Sequence, residues 1–86
     1  MSNWKPPRTR EELDAIQNRI EENPEYLARI KQFFWNMRLM ESYTLDRFVK
    51  PENMDLFKDC ICLLIARQGY PLEFDDNFEK VRRCEP

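Results

Sequence analysis

The sequence predicts an all-α fold: a small bundle of about four helices plus one short helical segment, packed around an apolar helix at residues 51–68. Three observations carry that reading. The run from Pro51 to Gly69, PENMDLFKDCICLLIARQG, has the start, the stop and the apolar face of a helix. Capping signatures stand upstream at Thr9–Glu12 and Asn23–Pro24. Short alternating apolar and polar runs are missing, and one glycine in 86 residues leaves no hairpin signal.

The central helix is justified end by end. Pro51 suits a first helical position, where its missing N–H costs nothing and its fixed φ is already helical. Glu52 and Asp55 place negative charge in the first turn, and Arg67 places positive charge in the last, as the helix dipole favours. Gly69 falls where the chain needs a left-handed residue to stop. Phe57, Cys60, Ile61, Leu64 and Ile65 share one face, and Leu56 and Leu63 widen it. A helix so apolar has to be covered on most sides.

The other elements follow in chain order. Residues 1–8 read as an extended arm, because Pro6-Pro7 holds polyproline-like geometry and keeps Lys5 out of helix. Residues 9–86 read as a single helical domain. Trp4 in the arm either folds back onto the helices or anchors a second chain, since tryptophan is enriched at binding hot spots. Thr9 and Glu12 form a capping box for a helix from about Arg10 to Glu22, with Leu13, Ile16 and Ile20 as a narrow inward stripe. Asn23 and Pro24 open a second helix to about Glu41 or Ser42. Its broad face is Tyr26, Leu27, Ile30, Phe33, Phe34, Met37 and Met40, with a Glu25–Arg29 pair on its surface. Trp35 and Leu39 lie outside that face, near Arg38, as an exposed contact patch or beneath another helix.

Thr44 caps a short helical piece, Leu45 to Val49, pinned to the core by Leu45, Phe48 and Val49 and ended by Pro51. Past Gly69, Leu72 and Phe74 sit in a short extended link. Asp75 or Asp76 caps a last helix to Arg83 or Cys84. Asp76–Lys80 and Glu79–Arg83 are its i, i+4 pairs, and Phe78 and Val81 face inward.

Composition narrows the chemistry. Without histidine, the chain lacks the commonest general base and metal ligand. A single glycine rules out a phosphate-cradling loop or a dinucleotide fingerprint. Cys60, Cys62 and Cys84 lack the fourth thiol or imidazole of a structural zinc site. The carboxylate pairs Asp55 with Asp59 and Asp75 with Asp76 already have roles at helix starts. No catalysis, cofactor or metal is therefore expected. An odd cysteine count and an N-terminus without an apolar signal core point to the cytoplasm, and no apolar run is long enough to span a membrane.

What remains is recognition. The eleven aromatic side chains and the small size suit a partner-seeking domain. The expected function is a small cytosolic protein-binding module: an adaptor, accessory subunit or inhibitor that occupies a partner's surface through Trp4, Trp35, Arg38 and Leu39. One alternative is a nucleic-acid-binding regulator. Residues 26–50 hold five basic and two acidic groups, so Arg29, Lys31, Arg47 and Lys50 could line one side with Tyr43 for stacking. A net charge of −2 weighs against it. The other alternative is a structural homo-oligomer, of which a homodimer is the simplest.

Overall fold

A computed structural model describes residues 4–84. These residues form an α+β fold, not the all-α bundle expected. Helices α1 (Arg10–Glu21), α2 (Pro24–Asn36) and α3 (Met54–Gln68) pack with strands β1 (Ser42–Thr44), β2 (Leu72–Phe74) and β3 (Lys80–Arg83). Two single-turn 3₁₀ segments, Leu45–Arg47 and Pro51–Asn53, lead from β1 into α3. The helical-domain reading of residues 9–86 gives way with the bundle.

The helices keep the expected local logic. The Thr9 hydroxyl oxygen accepts the Glu12 N–H at 3.1 Å, and the hydroxyl in turn donates to the Glu12 carboxylate at 3.2 Å. Pro24 opens α2, although the Asn23 side chain makes no cap. At the end of α3, Gly69 turns left-handed with φ 66°, and the N–H groups of Gly69 and Tyr70 both close on the Leu64 carbonyl. α3 is the core helix: Phe57, Cys60, Ile61, Leu63 and Leu64 are buried, with Leu64 and Cys60 fully enclosed. Its last turn is tied to α1 by Arg67, which reaches Asp14 and Gln17.

The sheet overturns the all-helical expectation. The link Leu72–Phe74 is extended as expected but pairs as a strand, and the expected last helix is replaced by the strand Lys80–Arg83. β3 lies between β1 and β2, antiparallel to both, with Tyr43, Val81 and Phe74 in one row. Val81 in that row is buried, and period-two alternation turns Glu73 and Arg82 to the other face, where they pair across the strands. Asp75 does cap, but it caps a turn: its Oδ1 accepts the N–H groups of Glu79 and Lys80 at 2.8 and 3.0 Å. Phe78 sits in that turn with φ 56° instead of facing inward from a helix. Among the described residues the ion pairs are Arg19–Asp59, Arg67–Asp14 and Arg82–Glu73, so the expected Glu25–Arg29, Asp76–Lys80 and Glu79–Arg83 pairs do not form.

α2 also ends about five residues early, at Asn36, because the sheet takes over its last groups. The Tyr43 hydroxyl oxygen accepts the Arg38 N–H at 2.8 Å, and the Arg83 guanidinium donates to the Met37 carbonyl at 3.1 Å. Met37 is extended, Leu39 bridges to Arg83, and Met40 turns left-handed with φ 63° while its N–H donates to the Arg83 carbonyl. No helix among the described residues is long and apolar enough to cross a membrane.

Candidate functional site

Among the described residues four large apolar side chains are exposed: Trp35, Leu39, Met40 and Phe48, each half or more accessible. Three of them gather around one residue. Arg83 ends β3 on the core-facing side of the sheet. Its guanidinium lies 4.7 Å from the ring centre of Phe34 and 6.0 Å from that of Trp35. Its backbone pairs with Leu39 and accepts from Met40. Trp35 thus meets the Arg83 side chain, while Leu39 and Met40 meet its backbone, so three exposed apolar residues stand around Arg83 beyond the end of α2. Trp35 is 65 % exposed, and its ring meets Phe34 edge-on at 5.3 Å. A tryptophan left that open leaves much apolar area in water, and exposed apolar side chains gathered at one end of a helix point to an interaction site.

The sequence pointed to Trp35 and Leu39 by their phase on α2. They are not i, i+4 neighbours on a helix, because the helix stops between them. Arg38 is exposed at the edge of the patch, with its N–H engaged by Tyr43. Met40 was expected on the broad inward face and lies outside, because the chain leaves the helix three residues earlier. Phe48 was expected to pin the short piece to the core. Leu45 and Val49, expected to pin it with Phe48, are buried and close an i, i+4 backbone bond, but Phe48 is left 56 % exposed.

Trp4 is placed elsewhere. The first three residues of the arm lie outside the described residues; from Trp4 to Pro7 it lies against α1 and α3, and the indole is half-buried between Phe78 and Phe74, at 5.3 and 6.4 Å between ring centres. Its N–H donates to Asp59 at 2.7 Å, and Lys58 lies over its ring at 5.2 Å. Asp59 is buried on α3, and its second oxygen pairs with Arg19 at 2.5 Å. A carboxylate on an apolar helix is costly unless its oxygens are satisfied, and the arm and α1 satisfy both.

The residues of the nucleic-acid alternative do not converge. Arg29 and Lys50 line one groove with Phe33 and Phe48. Lys31 lies two residues on along α2, roughly 200° around the helix. Arg47 stands exposed on its 3₁₀ turn. The Tyr43 ring is packed against the rings of Phe33 and Phe48, so its faces are partly occupied.

Two of the thiols, Cys60 and Cys62, lie on α3. Cys60 is fully buried, and burial first, then the charge of Asp59, pushes its pKa up to about 12. The same two causes raise half-buried Cys62 to about 11. Among the described residues no three cysteine or carboxylate side chains come together as metal ligands. Comparison with known proteins brings no match: no family model, no curated protein and no solved structure is similar to the chain.

Proposed function

We propose that the chain is a small cytosolic protein-binding module that occupies a partner's surface through Trp35, Leu39 and Met40, with Arg38 and Arg83 at the edge and no catalytic step of its own. The carrying observation is Trp35, 65 % exposed over the Arg83 guanidinium, with Leu39 and Met40 also exposed on the segment that pairs with the Arg83 backbone. An aromatic anchor with an arginine next to it is the composition in which interface energy concentrates. The cytosolic compartment rests on three cysteines, all free. Trp4 is left out of the contact set, because its indole already holds Asp59.

The test is capture from source lysate with and without nuclease, with wild type and Trp35→Ala compared side by side. The expected result is a discrete set of proteins retained by the wild type and lost with Trp35→Ala, while helical circular dichroism is unchanged. Retention by the variant overturns the assignment of the patch. Capture that disappears with nuclease favours the nucleic-acid reading, and a single mass above the monomer in light scattering favours a homo-oligomer.

A further inference from the structure

The flank of α2 opposite Trp35 carries a second surface of different chemistry. Tyr26, Arg29 and Phe33 follow one another along it at three and four spacing. Phe48 and Lys50 face them from the segment that links β1 to α3, and a groove of about 280 Å³ lies between. Phe33 is the hub of its floor: ring centres of Phe48, Phe57 and Tyr43 lie 5.4, 5.5 and 5.9 Å away. Phe48 is held at the mouth, more than half exposed.

The charges at the groove have one sign. Arg29 and Lys50 are its charged lining residues, and no carboxylate lines it. Among the described residues neither cation makes an ion pair. Glu22 and Glu25 line an adjoining depression, which shares Tyr26 and Arg29 with the groove. The groove is below the ~300–1,000 Å³ of small-molecule sites, which suits one large side chain better than a whole ligand.

We infer that this groove docks an acidic peptide segment of a partner, anchored by one aromatic or branched aliphatic side chain. The anchor covers Phe33 and Phe48, and flanking carboxylates meet Arg29 and Lys50. Exposed ion pairs add little affinity one by one, so the anchor supplies most of the binding, while the two cations select the sign of the partner and raise its rate of encounter. The surface is independent of the Trp35 patch.

Selection of a phage-displayed random dodecapeptide library on the immobilised chain, followed by fluorescence anisotropy of the enriched peptides, tests this. Enriched sequences are expected to be acidic, with one Phe, Trp or Leu. Their affinity is expected to fall about tenfold with Phe48→Ala and by a similar factor with the double change Arg29→Glu and Lys50→Glu. It is expected to weaken with salt and to survive Trp35→Ala. The charge reversals are on exposed residues, so they keep the test decisive where Phe48→Ala disturbs the fold. Enrichment of basic or uncharged sequences, no enrichment, or affinities unmoved by the charge reversals overturn the inference. So does tighter binding of a twelve-nucleotide oligothymidylate than of the best peptide.

Discussion

The indole N–H of Trp4 donates to Asp59 Oδ1 at 2.7 Å, joining positions 55 residues apart. That bond turns the N-terminal arm into part of the core, because Asp59 is 6 % exposed and needs every partner it has. Trp4→Phe keeps an aromatic ring beside Phe78 but removes the donor. An under-satisfied buried carboxylate costs about 1–3 kcal/mol, so the thermal midpoint is expected to fall by roughly 5–15 °C. Trp35→Ala, on the open surface, is expected to change stability by no more than about 0.5 kcal/mol. Melts followed by circular dichroism compare the two. Equal effects would mean that the arm adds nothing to the fold.

Gly69 stops α3 with φ 66°, and a Cβ added there meets nothing within 4 Å. The cost of Gly69→Ala is therefore backbone strain alone, about 1–2 kcal/mol, with no clash to add to it. Gly69→Asn is expected to cost less, since asparagine tolerates the left-handed region. Urea midpoints of the two variants check the order. An alanine variant as stable as the wild type would show that the helix end relaxes into another geometry.

The elements legible in the sequence are those whose signals are local. Thr9 with Glu12, Pro24 and Gly69 each set a helix boundary within one turn of themselves. The sheet had no such signal. Ser42–Thr44 and Leu72–Phe74 are three residues each, too short to show alternation, and Thr44 finds its partner Lys80 only across the whole of α3. In β3, Val81 is the one strongly apolar side chain, and Asp76–Lys80 and Glu79–Arg83 imitate helix pairs. Such pairs are worth about 0.2–0.5 kcal/mol each. Burying Val81 and bonding β3 along both edges outweighs them. The candidate site was half legible for the same reason. The phase of Trp35 on α2 put it outside the stripe, but Met40 and Arg83 joined it only through the pairing of β3 with the chain after α2.

Asp75 gives the turn before β3 a signature in acid. The N–H of Lys80 does most to hold its carboxyl below the ordinary 3.8; burial opposes it, and the Glu79 N–H adds a smaller lowering. A lowered folded-state value adds stability above pH 3.8 and loses it as pH falls through the folded value. Asp75→Asn keeps an acceptor oxygen but no charge. The wild type is expected to melt above the variant from pH 5 to 7, with the gap closing below pH 4. A gap that stays constant with pH would show that the charge is not what holds the turn.

At the alkaline end the sign reverses in origin but not in effect. Burial raises Cys60 from 9.0 to about 12, Cys62 from 9.0 to about 11 and Tyr26 from 10.0 to about 12, and the charges of Asp59, for the thiols, and of Cys60, for Tyr26, push the same way. All three groups are thus favoured neutral in the folded chain. Their contribution is complete below pH 9 and drains away as pH climbs towards 11 and 12, because the unfolded chain releases its protons first. Denaturant midpoints are expected to be flat from pH 7 to 8.5 and to fall steadily above 9, less steeply in Cys62→Ala. The same burial predicts that iodoacetamide at pH 8 leaves Cys60 unlabelled until the chain unfolds, since a fully enclosed thiol reacts only through opening. Peptide mass spectrometry reads this directly, and labelling of Cys60 in native protein as fast as in urea would place it outside the core.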